Sequence, residues 1–68
     1  MGKWWVTFCD KCGRWAQARP AMPWWEKRED EVEVDEDEFR KLRRSSGYVR
    51  DWYIGDQLTR LVNEHRCD

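Results

Sequence analysis

Two short stretches hold the donor atoms best suited to a metal: Cys9-Asp10-Lys11-Cys12 and His65-Arg66-Cys67. Thiolate sulfur and imidazole nitrogen are the donors that zinc takes in closed, tetrahedral structural sites, and Cys9, Cys12, His65 and Cys67 make a Cys₃His set. Three cysteines are an odd number, which argues against a disulfide framework and fits a reducing compartment where thiolates bind metal. The spacing predicts one Zn2+ ion joining the two ends of the chain. Structural zinc in small fingers contributes roughly 10–16 kcal/mol of apparent binding energy, which is large beside the few kcal/mol that a core of this size supplies.

Phe8-Cys9-Asp10-Lys11-Cys12-Gly13 resembles the zinc knuckle that opens zinc ribbons and treble-clef fingers. The resemblance covers six residues and concerns a local structure; it implies a turn that aims both sulfurs at one metal, with Gly13 permitting positive φ. Catalysis is not expected. A catalytic zinc would need Cys67 free to leave an open position for water, with Glu64 as base, but the sequence has no His-Glu-x-x-His pattern and no second histidine. A redox Cys-x-x-Cys would begin a helix within a βαβ pattern, which this chain lacks. Ser45-Ser46 has no plausible base partner.

The elements that must position these donors can be read from local pattern. Lys3 to Phe8 is aromatic and β-branched and Arg14 to Ala18 alternates, so the knuckle should tip a β-hairpin. Pro20 and Pro23 make Arg19 to Trp24 a loop. Glu31-Val32-Glu33-Val34 alternates as a short, exposed edge strand. Asp35-x-x-Glu38 starts, and Ser45-Ser46-Gly47 stops, a helix at about 36–45 with Phe39 and Leu42 as its inner edge. Acids in its first turn and bases in its last suit the helix dipole. Tyr48 to Ile54 is extended, and Leu58, Leu61, Val62 and His65 at spacings of three, four and seven predict a second helix at about 57–65, with Asp56 as N-cap. The expected fold is therefore α+β: a single small zinc-stapled domain over 1–68, with an N-terminal zinc-knuckle hairpin, a short strand or two, and two short helices.

At 68 residues the chain is one domain at most, and apolar and charged residues each make up 40% of it. No apolar run approaches a membrane span and Met-Gly-Lys-Trp-Trp is no secretory signal, so a cytoplasmic protein with no membrane association is expected. Charge falls in blocks of +4 over 1–28, −8 over 29–38, +5 over 39–50 and −2 over 51–68, a net −1 that argues against generic nucleic-acid binding.

Six tryptophans exceed what so small a core requires. Trp5, Trp15 and Trp52 are assigned to an aromatic core. In the doublets Trp4-Trp5 and Trp24-Trp25, adjacent rings on a strand point to opposite faces, so Trp4, Trp24 and Trp25 are candidates for a partner-binding surface together with Arg40, Arg43, Arg44 and Arg50. Glu36 and Asp37 stand four residues before Arg40 and Lys41, the favourable order for intrahelical ion pairs, so the basic cluster also reads as a solvated face. These residues predict a small, non-enzymatic zinc-binding module that binds another macromolecule, a protein first. Nucleic acid is the alternative, with the arginines on phosphates and a tryptophan stacking on a base. A second alternative is a small phage or plasmid accessory or inhibitor protein whose acidic face, 29–38, docks a basic partner or imitates a phosphate backbone. Either a monomer or a homodimer joined through outer tryptophans or the 31–34 edge is compatible with the sequence.

Overall fold

A computed structural model describes residues 2–64 of the chain. Strands β1 (Lys3–Phe8), β2 (Trp15–Pro20), β3 (Glu31–Asp35), β4 (Val49–Ile54) and β5 (Gln57–Asn63) form one antiparallel sheet in the order β3-β1-β2-β5-β4, and helix α1 (Glu36–Arg44) follows β3 directly.

This architecture corrects the expected fold class. The chain is a five-stranded antiparallel sheet with one short helix, and among the described residues no metal-binding group of three or more ligands supports the zinc-stapled description. The helix expected over 57–65 is strand β5, at least to Asn63. The cause is a β-bulge. Trp52 pairs with Arg60 but its neighbour Tyr53 pairs with Leu58, so Thr59 is an extra residue in β5. An extra residue shifts the side-chain alternation by one. Leu58 and Leu61, three apart, therefore both reach the core, reproducing helical spacing within a strand. Gly55-Asp56 is the two-residue turn of the β4–β5 hairpin and no helix start, with Gly55 at φ 63 as such a turn requires. A second bulge, at Ala16, brings Trp15 and Ala18 onto one face by the same device.

Helix α1 lies within the predicted span. The Asp35 carboxylate accepts from the Glu38 backbone N–H at 2.8 Å, Glu36, Asp37 and Glu38 occupy the first turn, and Lys41, Arg43 and Arg44 the last. Its buried face packs Phe39 onto the sheet, where the Trp4 ring stacks at 4.3 Å between centroids and the Trp15 ring meets it edge-on at 5.7 Å. Val6, Trp15, Ala18, Val34, Phe39 and Leu61 form the core, with Trp4, Phe8, Leu42, Val49 and Leu58 packed around them. The Trp15 indole N–H, buried with its ring, donates to Ser46 Oγ at 2.7 Å and to the Leu42 carbonyl at 3.1 Å, so it carries no unpaired polar group. The core thus sits between α1 and one face of the sheet, and the opposite face carries the alternate residues of each strand.

Candidate functional site

On that opposite face the side chains of Trp5 and Arg19 are register partners, as are Trp5 and Glu33. The Arg19 guanidinium stands over the Trp5 ring at 4.9 Å and the Trp25 ring at 5.4 Å, a cation held between two π-faces. Its Nε and Nη2 donate to the two Glu31 oxygens at 2.8 Å each, the planar fork matching the planar carboxylate. Nη2 also donates to the Glu26 carbonyl at 2.6 Å, and Glu31 accepts from the Arg28 backbone N–H at 2.8 Å. Arg19 therefore fastens the loop after β2 across the sheet, which is why Trp5 is buried although it faces away from α1. The hydrogen bonds from Arg19 hold the Glu31 carboxyl below its usual range against the opposing effect of burial, aided by the Arg28 amide and the positive charges of both arginines. The same pair raises Arg19.

The loop stops short of the β4–β5 hairpin, leaving a cleft of about 480 Å³. Trp25, Arg28 and Asp30 form one wall, Thr7 and Gln17 the floor, and Ile54, Thr59 and Arg60 the other wall. Beside it Arg60 lies 5.2 Å from the centroid of Trp52. Apolar side chains at and near the hairpin wall are left in water, Ile54 76% exposed and Trp52 43%, and Trp24, next to Trp25 in the loop, is 70% exposed.

The second feature is the turn between β1 and β2. The Cys9 N–H donates to the Arg14 carbonyl at 2.7 Å, the Gly13 N–H donates to the Cys9 carbonyl at 2.9 Å, and Gly13 has φ 73. These bonds bend the Cys-x-x-Cys segment into a tight hairpin tip with Cys9 half-buried and Cys12 exposed. A cavity of about 440 Å³ adjoins it, bordered by Gly13 and Arg14, by the C-terminal end of α1 at Leu42, Ser45 and Ser46, and by Asn63 and Glu64 at the end of β5. Asn63 Nδ2 donates to the Trp15 carbonyl at 2.7 Å, fixing that end beside the hairpin. His65 and Cys67 lie outside the described residues.

The residues assigned to partner binding are dispersed. Trp4 is half-buried against Phe39, Trp24 is exposed, and Trp25 walls the cleft. Arg40 pairs with Glu36 at 3.1 Å, Arg43 with Asp51 at 3.7 Å and Arg50 with Glu64 at 2.8 Å, while Arg44 is exposed at the end of α1. The cluster is thus spread over a helix and an edge strand, and three of its four arginines face carboxylates. Trp52, assigned to the core, is half in solvent. Arg19, Arg60 and Ile54 belong to the face but no local motif marks them. The one available signal was Ile54 immediately before Gly55-Asp56, since a flank of a hairpin turn is seldom covered.

No known protein family, curated protein or solved structure matches the chain. Among the described residues no helix is long and apolar enough to cross a membrane.

Proposed function

We propose that the chain is a non-enzymatic binding module that takes a segment of a partner protein into the cleft between the loop after β2 and the β4–β5 hairpin. The observation that carries this reading is a cleft walled by Trp25, Arg60 and the exposed Ile54, with the exposed Trp52 against Arg60 at its side. Tryptophan and arginine dominate interface hot spots, and grouped apolar exposure on a small domain marks contact surfaces. Protein is favoured over nucleic acid because Arg19, Arg40, Arg43 and Arg50 already face carboxylates, which compete with phosphate for them. Glu31 beside the cleft is held ionised by Arg19, so it is poorly suited to exchange protons near neutral pH.

Zinc belongs to the same proposal. Cys9 and Cys12 supply two thiolates at the hairpin tip, and His65 and Cys67 remain the sequence-based candidates for the other two positions. The cavity shared by Gly13, Arg14, Asn63 and Glu64 supports this assignment, because the end of β5 borders the turn.

The test compares proteins enriched by the wild-type chain with those enriched by an Ile54→Asp variant, then titrates the purified partner at low and high salt. A partner whose affinity falls by about tenfold or more with Ile54→Asp and changes little with salt is expected. Binding to single-stranded oligonucleotides that weakens steeply with salt, with no such protein, would transfer the assignment to nucleic acid.

A further inference from the structure

From the backbone of β4, and independently of the cleft, we infer that this strand pairs antiparallel with β4 of a second copy of the chain, across a two-fold axis at Trp52. Among the described residues β4 is hydrogen-bonded on one side only, to β5. The Glu64 N–H donates to the Tyr48 carbonyl, and the pairing Val49↔Asn63 and Arg50↔Val62 continues that ladder. In an antiparallel ladder the bonds to one neighbour fall on every second residue. Those to β5 therefore fall on Arg50, Trp52 and Ile54, and the N–H and C=O groups of Val49, Asp51 and Tyr53 point to the open edge. The extra residue at Thr59 lies in β5, so this alternation runs unbroken along β4.

An edge strand with aligned free backbone groups is a template for another strand unless charge, proline or a bulge of its own protects it. β4 has no proline and no bulged residue, and Trp52, Tyr53 and Ile54 are all exposed. The opposite edge, β3, is protected. Its Glu31, Glu33 and Asp35 alternate on one face, so any antiparallel pairing of β3 with itself sets carboxylate against carboxylate.

Charge and the length of overlap select the register, because an axis at Arg50 or Asp51 opposes like charges and an axis at Tyr53 pairs only Trp52 to Ile54. A two-fold axis perpendicular to the sheet keeps each face continuous, so it must pass through a residue. Centred on Asp51, it opposes two carboxylates. Centred on Trp52, it sets Trp52 against Trp52, Arg50 against Ile54 and Asp51 against Tyr53, with no like charges opposed. The charged groups of β4 are already compensated within each copy, Arg50 by Glu64 and Asp51 by Arg43, so pairing isolates none of them. The product is a closed dimer with one ten-stranded sheet and both helices on the same side.

Sedimentation velocity of the full chain, with reductant present, from micromolar to roughly millimolar concentration tests this, together with amide hydrogen exchange across the same range. The expected result is a monomer–dimer equilibrium in which the Asp51 and Tyr53 amides, which face each other across the axis, become protected as the dimer forms. Trp52→Lys, which opposes two cations across the axis, should weaken the dimer by about tenfold. Tyr53→Pro, which removes an outward amide without touching the ladder to β5, should weaken it also. Circular dichroism checks that each variant folds, and the exchange measurement on the wild type needs no variant. A chain that stays monomeric, assembly beyond two copies, or a dimer in which those two amides stay unprotected would overturn the inference.

Discussion

Replacing Arg19 with alanine strands the Glu31 carboxylate. Only 6% of the Glu31 side chain reaches solvent, so once both guanidinium bonds at 2.8 Å are gone the charge keeps the Arg28 amide and little water. Breaking a buried pair in this way costs about 3–5 kcal/mol, and losing the guanidinium from between Trp5 and Trp25 adds roughly 0.5–1 kcal/mol per ring. A chain of 68 residues has a total stability of about 3–10 kcal/mol, so Arg19→Ala should forfeit a large part of it. Arg19→Ala/Glu31→Ala should be more stable than Arg19→Ala alone by about 1–3 kcal/mol, because no charge is left without its partner. The pH dependence has a fixed sign. Glu31 titrates below the usual 4.5 in the folded chain, so its contribution is complete above that value and is lost as pH falls through the depressed one. Urea unfolding followed by tryptophan fluorescence, for wild type, both single alanine variants and the double, measures all of this. A loss below about 1 kcal/mol for Arg19→Ala, the range of an exposed ion pair, or a double variant no better than the single, would refute the reasoning.

Phe39→Ala removes the ring that Trp4 and Trp15 both contact and should lower stability by about 3–5 kcal/mol in the same assay. Asp35→Ala deletes the acceptor for the Glu38 amide and should cost about 1 kcal/mol, with reduced helical signal in circular dichroism. Native mass spectrometry should show one zinc per chain, lost on chelation and weakened in Cys12→Ser. A metal-free spectrum from protein purified with zinc present would remove zinc from the proposal.

What could be read in advance was whatever local chemistry encodes. The Asp35-x-x-Glu38 cap and the graded charges of 36–44 identify α1 without reference to the rest of the molecule. Strict alternation identifies β3, and the Cys-x-x-Cys-Gly turn identifies the first hairpin. The strand β5 was hidden because the bulge at Thr59 gives Leu58 and Leu61 the spacing of a helix, and a bulge has no signature when only one strand is known. The tryptophans were half legible: Trp24 and Trp25 do divide between solvent and cleft. Both Trp4 and Trp5 are covered, because α1 shelters one face and the Arg19-fastened loop the other. Partners close in sequence, such as Glu36 and Arg40, could be inferred, but Arg43 with Asp51, Arg50 with Glu64 and Arg19 with Glu31 depend on strand order. Within the basic cluster the sequence therefore offered partners for Arg40 and Lys41 but none for Arg43 and Arg50.

The strand order also has a kinetic meaning. The β1–β2 and β4–β5 hairpins each close through residues near in sequence, whereas β2 and β5 meet through Gln17↔Val62 and Ala18↔Leu61, pairs far apart along the chain. Chain entropy opposes that encounter more than any hairpin closure, so it belongs late in folding. The chain is in effect two pieces zipped along one short seam. Under mild denaturant the seam should open first as a cooperative unit, and substitutions at Ala18 or Leu61 should alter how quickly the C-terminal hairpin finds its place.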